Sequence, residues 1–199
     1  MNKKIIIAII GESGAGKDTF AWALHDFCEW NMVTLSTTRP IRDYEVEDED
    51  YYFIDEDTFK QKVLNNDMIV HNCFNNWYYG IEKHRLTDGV NIVVISPGGL
   101  RQLQTYAKNN DDIVVLAYYL WVHPQIRLER ALKREGIPDV TEICRRFLAD
   151  EEDFKEYHGE TCDSACRFIN DDGISSPYMI KRIINDVQDV VSSWTDSNN

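Results

Sequence analysis

Strands that alternate with helices predict an α/β fold on a parallel, doubly wound sheet. Three observations point there. Continuous runs of β-branched residues recur, as in strands covered on both faces. Between them apolar residues fall at helical spacing, and a glycine-rich turn joins the first run to the first helix.

The first run, "KIIIAII" (Lys4 to Ile10), is too short and meets Glu12 too soon for a secretory signal, so a buried strand is expected. After the turn, Phe20, Leu24 and Phe27 share one helical face. "MVTLS" (32–36) reads as a further strand. Residues 36–88 break the rhythm with arginines, an acidic "EVEDED" and the aromatic "FNNWYYG", and read as an inserted lobe. The pattern then resumes: strands at "NIVVIS" (91–96), "DIVVLAYYLWV" (112–122) and "CRFIN" (166–170), and a helix where Ile126 to Leu132 alternate with arginines. Ile180, Ile183, Ile184, Val187 and Val191 predict a terminal helix, and only "TDSNN" resembles a disordered tail.

With 199 residues, 43% hydrophobic and 28% charged, one domain with a real core is expected. Its core would be 1–35, 89–132 and 148–195. A net charge of −13 works against binding nucleic acid, so any anionic partner should be small. No run approaches a membrane span, and a cytoplasmic protein without a membrane partner is expected, as monomer or homodimer. The five cysteines, Cys28, Cys73, Cys144, Cys162 and Cys166, read as reduced thiols; Cys162 and Cys166 have metal-like spacing but no second pair.

The turn itself, "GESGAGKDT", places Gly11, Gly16 and Lys17 at the spacing of a phosphate-binding P-loop. Such a loop turns backbone N–H groups inward on phosphate oxygens, the helix N-terminus adds positive potential, and the lysine reaches the outer phosphates. Gly11, Ser13, Gly14, Ala15, Gly16, Lys17, Asp18 and Thr19 are therefore the candidates for binding a nucleoside triphosphate, on the P-loop NTPase fold. Asp18 stands where a hydroxyl residue usually contacts magnesium. It has two readings: a metal ligand with Thr19, or an acid that favours the first helical turn. Further on, "STTRPIRDYEVEDEDYYF" (36–53) sets Arg39 and Arg42 three apart beside Glu45, with Tyr51 following, and "NNWYYG" (75–80) fits the other wall of one pocket.

Together with "RALKRE", "ICRRF" and the closing "INDD", these stretches resemble the guanylate kinase family over nearly the whole chain. The resemblance implies a nucleoside monophosphate kinase that uses ATP and Mg2+. It also implies that Arg39, Arg42, Tyr51 and Tyr79 grip the acceptor's phosphate, with Ser36 and Glu45 in the same site, and that Asn170 joins the ATP site. Arginine forks match phosphate bidentately and tyrosine hydroxyls add hydrogen bonds. A mobile lid maps to about residues 133–147, where Arg134 and Arg146 would stabilise the transferring phosphoryl group together with Lys17 and Arg39. Arg146 fits the family's pattern well; Arg130 and Arg134 fit with a small shift, and an exposed helical face is the other reading for them.

The base site departs from the family. The glutamate that reads guanine, nine residues before the second tyrosine of "YYG", falls on Val70, and a second acid falls on Ser96. A pocket lacking both would read guanine's adjacent donors poorly; His71, Asn72, Asn75 and Asn76 offer donors and acceptors instead. Alternatively, Asp67 or another acid takes the place of Val70. Two rival functions share this frame. One is a kinase of a sugar phosphate, since "GKD" resembles the ribose bisphosphate phosphokinases, although "TTRPIR" and "YYG" favour a nucleotide. The other is a catalytically silent binding module, against which Lys17 argues because such modules typically lose that lysine.

Overall fold

The computed structural model describes residues 3–42, 45–74, 76–134, 139–158, 165–171 and 177–196. In chain order the elements are β1 (Lys4–Ile10), α1 (Lys17–Cys28), β2 (Asn31–Met32), β3 (Ser36–Thr37), β4 (Tyr52–Phe53), α2 (Glu56–Leu64), β5 (Met68–Phe74) and β6 (Trp77–Glu82). There follow β7 (Gly89–Val94), α3 (Pro97–Lys108), β8 (Ile113–Trp121), α4 (Pro124–Arg134), α5 (Val140–Asp153), β9 (Cys166–Ile169) and α6 (Pro177–Asp196). The fold is α/β with a parallel central sheet, as the alternation of strands and helices predicts. Among the described residues no helix is long and apolar enough to cross a membrane.

The chain divides into two compact units, Met1–Ala8 with Glu29–Val115, and Ile9–Cys28 with Leu116–Asn199. In the first, strands run in the order β2, β7, β1, with β2 parallel to β7. Ile5, Ile6 and Ile7 are at most 1% exposed, which is why a continuous isoleucine run is stable there and would not be on a solvated face. A second sheet in this unit has the order β4, β3, β6, β5 and lies wholly within the stretch whose sequence lacks periodicity. Strands of two residues, as in β2, β3 and β4, carry no pattern to read. Asp55 caps α2 by accepting from the Thr58 N–H at 2.8 Å, and Ser96 caps α3 by accepting from the Gly99 N–H at 3.2 Å.

In the second unit the order is β1, β8, β9, with β9 parallel to β8 and Phe168 stacked on Tyr118 at 5.4 Å between ring centres. Two expectations about helix faces are corrected here. Phe27 is 69% exposed, because the buried stripe of α1, Phe20, Ala21 and Leu24, stops one turn short of the helix end. Likewise α6 buries Met179, Ile183 and Val187, while Val191 is 44% exposed. Thr195 and Asp196, expected in a disordered tail, belong to α6, and residues 197–199 lie outside the described residues.

Candidate active site

In the second unit the glycine-rich loop leaves β1 and enters α1 at Lys17. Gly14 has φ 80°, and a Cβ there would stand 2.7 Å from the Arg127 carbonyl oxygen, so both the turn and the close approach require glycine. Several side chains engage the loop's carbonyls. Asn170 Nδ2 donates to Ala15 at 2.9 Å, and Lys17 Nζ donates to Glu12 at 3.1 Å. The Arg130 guanidinium donates to Gly14 at 3.2 Å and to the carbonyls of Asn170 and Asp171 at 3.1 and 3.0 Å. The Ser13 N–H donates to Asp150 Oδ2 on α5 at 2.7 Å, as it would to an anion. Beneath the loop, Glu12 is fully buried. Its Oε1 accepts from the Tyr119 hydroxyl at 2.8 Å and lies 3.2 Å from His158 Nε2 and 3.8 Å from Arg127 Nη2. Arg127, 1% exposed, donates to Glu151 at 2.6 Å and lies over the Phe147 ring at 4.8 Å. Burial, then the Glu12 charge, pushes the Tyr119 hydroxyl's pKa upward, so it stays a donor.

These residues fit a nucleoside triphosphate with Mg2+. The loop has the backbone of an anion cradle, and Lys17 extends along it with, among the described residues, a single hydrogen-bond partner, a carbonyl. Asn170 is 3% exposed, and its Oδ1 has no hydrogen-bond partner among the described residues. Asp18 and Thr19, both exposed in the first turn of α1, supply hard oxygens of the kind Mg2+ takes alongside phosphate and water.

In the first unit, Arg39, 5% exposed, donates to Glu45 Oε1 at 2.7 Å, and the Arg42 N–H donates to Glu45 Oε2 at 2.9 Å. Burial alone would raise the Glu45 pKa, but these bonds outweigh it and hold the carboxyl below its ordinary range. Burial likewise opposes the Arg39 charge, and Glu45 reverses that, raising the guanidinium's pKa. The Arg39 guanidinium lies 5.3 Å from the Tyr51 ring centre, and Tyr51 meets Tyr79 edge-on at 5.9 Å. Two guanidinium-bearing side chains and two phenols are thus gathered around one carboxylate that fixes Arg39. On the ladder, Thr37 and Asn72 both pair with Tyr79, which puts all three on one face of the sheet. Next along that face Val70, 2% exposed, pairs with Ile81, 1% exposed. Asn72 Nδ2 donates to Ser96 Oγ at 3.1 Å. Ser36 stands apart from this cluster: it pairs with Gly80 on the opposite face, and its buried hydroxyl donates to Glu82 at 2.5 Å, which also takes Lys62 at 2.6 Å. Gly80 has no room for a side chain, since a Cβ would lie 2.8 Å from the Val70 carbonyl oxygen and 3.0 Å from Phe59 of α2.

The model of the guanylate kinase family matches residues 2–166. The chain belongs to the guanylate kinase family. It is 33% identical over 162 residues to the guanylate kinase of Mycoplasma genitalium, a match covering 78% of this chain and 66% of that one. To the guanylate kinase of Ruegeria sp. it is 31% identical over 152 residues, 72% of this chain and 67% of the relative. The chain thus spans about two thirds of the length of these two relatives. Against the guanylate kinase of onion yellows phytoplasma the identity is 28% over 192 residues, 85% of each. Among solved structures, the guanylate kinase of Anaplasma phagocytophilum superposes with a TM-score of 0.61 at 18% identity, over 97% of this chain and 87% of that one, a likeness of fold.

Other expectations drawn from the guanylate kinase pattern meet the structure unevenly. Arg146 lies on α5, where Arg145 and Arg146 both donate to Glu142, each at 2.7 Å through Nε. Arg134 ends α4, and its side chain lies outside the described residues, as do residues 135–138 of the expected lid, Asn75, Cys162 and Asp172. Arg130 is half-buried and holds carbonyls of the loop and of residues 170 and 171. Asp67 sits in the turn before β5, its N–H donating to the Lys62 carbonyl, while Val70 fills its own buried position. Arg127, Asp150 and the buried role of Glu12 went unforeseen. Glu12 stood in plain view inside the loop motif, whereas Glu151 pairs with Arg127 across 24 residues, which no local spacing reveals.

The bonds from Arg145 and then Arg146 pull the Glu142 pKa from 4.5 to about 2. A carboxyl depressed in the folded state contributes stability in full above 4.5 and loses it as pH falls through about 2. A carboxyl NMR titration is therefore expected to place the Glu142 midpoint near pH 2. A midpoint at the ordinary value would mean that the two arginines do not hold it in solution.

Proposed function

We propose that the protein transfers the γ-phosphoryl group of ATP to a nucleoside or deoxynucleoside monophosphate. The observation that carries this is the cluster of Arg39, Tyr51 and Tyr79 braced by Glu45, because a P-loop by itself suits any nucleotide hydrolase or switch. When bound, ATP with Mg2+ supplies the phosphoryl group and neutralises charge on its oxygens. The loop N–H groups and Lys17 orient the triphosphate, Asp18 and Thr19 offer oxygens to the metal, and Asn170 holds the loop in shape. Arg39, Arg42, Tyr51 and Tyr79 hold the acceptor phosphate, with Glu45 fixing Arg39. Lys17, Arg39, Arg134 and Arg146 stabilise the charge that spreads over the equatorial oxygens in transfer. No general base is required, because the acceptor phosphate is already anionic.

A second reading keeps the reaction and widens the acceptor. Val70, buried beside Ile81, offers no carboxylate to guanine. Losing a charged acceptor for a buried donor pair costs about 1.5–3 kcal/mol, or roughly tenfold to a hundredfold in discrimination. The test is a coupled assay with ATP and Mg2+ against GMP, dGMP, dAMP, dCMP, dTMP, dUMP, 5-substituted pyrimidine monophosphates and ribose 1,5-bisphosphate. Turnover of a nucleotide supports the proposal. Turnover of the sugar phosphate alone would move the protein to the small-molecule kinases, and silence across the panel would leave a binding module.

A further inference from the structure

We infer that Asn72, oriented by Ser96, reads the acceptor's base through one donor and one acceptor, and that the site therefore disfavours guanine's exocyclic 2-amino group. This rests on the acceptor site proposed above.

The placement follows from the ladder. Asn72 pairs directly with Tyr79, so its side chain shares the face on which Tyr79 meets Tyr51 and, beyond it, the Arg39 guanidinium. A phosphate held by those groups leaves the rest of the nucleotide to lie along this face, where Asn72 offers a polar amide and Val70 with Ile81 forms the neighbouring apolar pair. Asn72 is half-buried, and among the described residues its amide makes one hydrogen bond, Nδ2 to Ser96 Oγ at 3.1 Å. Ser96 is itself held in place, because its hydroxyl accepts from the Gly99 N–H at the head of α3. One Nδ2 hydrogen is thereby used. The other, together with Oδ1, remains for a ligand as a donor beside an acceptor.

Such a pair complements any base edge that shows an acceptor next to a donor, among them O4 with N3–H in uracil or thymine, N6–H with N1 in adenine, N4–H with N3 in cytosine, and O6 with N1–H in hypoxanthine or guanine. Guanine differs from hypoxanthine only by its 2-amino group. With Oδ1 engaged by N1–H, that amine can only share the same oxygen, since the next side chain along this face is apolar Val70. Of the carboxylates described on this sheet and in its cluster, Glu82 is engaged by Ser36 and Lys62 on the opposite face, and Glu45 by Arg39.

Inosine and guanosine 5′-monophosphates therefore isolate the effect. Their dissociation constants, measured by calorimetry, and their kcat/KM values are compared for the wild type, Asn72→Ala and Asn72→Asp, after melting curves confirm folding. The wild type is expected to bind inosine monophosphate about tenfold more tightly than guanosine monophosphate, since an amine buried without an acceptor of its own is penalised. Asn72→Asp replaces the mixed pair by two acceptors and is expected to reverse the order at least tenfold. Asn72→Ala should weaken the inosine nucleotide about tenfold and erase the difference. If the wild type favours guanosine monophosphate, if neither nucleotide binds, or if both variants leave the ratio unchanged, the inference is overturned. The two proposals fail separately. Binding with the expected ratios but no turnover removes the kinase reading and keeps the base reader; turnover indifferent to position 72 does the reverse.

Discussion

Lys17→Ala is expected to lower phosphoryl transfer about 10³-fold and to leave the fold intact. Among the described residues the ammonium's one hydrogen bond is to the Glu12 carbonyl at 3.1 Å, a partner that water replaces readily. Losing one such bond costs about 1 kcal/mol, which for a chain of this size moves Tm by no more than about 4 °C. The positive charge is another matter, because in transfer it faces oxygens whose charge is shifting and whose other neighbours are backbone N–H groups. A single-turnover assay and a melting curve on one preparation settle the point. Transfer near the wild-type rate would remove the loop from the reaction, whereas a collapsed Tm would show that Lys17 is structural.

The second large effect is expected at Arg39, and it should divide cleanly into two parts. Arg39→Ala takes from Glu45, a carboxylate with 5% of its side chain exposed, its closest cation, leaving the Arg42 N–H at 2.9 Å and the Arg42 guanidinium at 3.8 Å. Breaking a buried pair in this way is destabilising by about 3–5 kcal/mol. It also removes a charged donor to the acceptor phosphate, which should raise the acceptor KM tenfold to a hundredfold, or about 1.5–3 kcal/mol. Adding Glu45→Gln to Arg39→Ala takes away the stranded charge. Urea midpoints should then recover most of the loss while the acceptor KM stays high. Recovery of both would mean that Arg39 serves the fold alone, and recovery of neither would point to misfolding.

What the sequence reveals depends on how far apart the partners lie. β1, the loop and α1 are contiguous, so their run, spacing and face are local facts, and they fold as read. The cluster proposed to hold the acceptor is legible because Arg39, Arg42 and Glu45 are near neighbours and "YYG" completes a known pattern. The failures share a cause. Phe27 has the right spacing, but nothing local says where a helix outruns its cover. Arg127 looks like one more arginine of a solvated helix, and its burial depends on Glu12 of the glycine-rich loop and on Phe147 and Glu151 of α5, two distant parts of the chain. Ser36 belongs to a matching motif, yet pleating turns its hydroxyl to Glu82, because strand register decides faces and composition does not.

The Asp150 carboxylate on the Ser13 N–H changes what binding at the loop means. A phosphate oxygen that takes this N–H evicts another anion rather than water, so the step is an ion exchange within the protein. The charge standing on that amide is negative before and after, and added salt screens the departing carboxylate as well as the arriving phosphate. Affinity for the triphosphate should therefore fall less steeply with ionic strength than the number of positive groups around the loop suggests. The evicted carboxylate must find a new partner, and on α5 the side chains one turn back toward the helix start are Arg146 and its bond to Glu142.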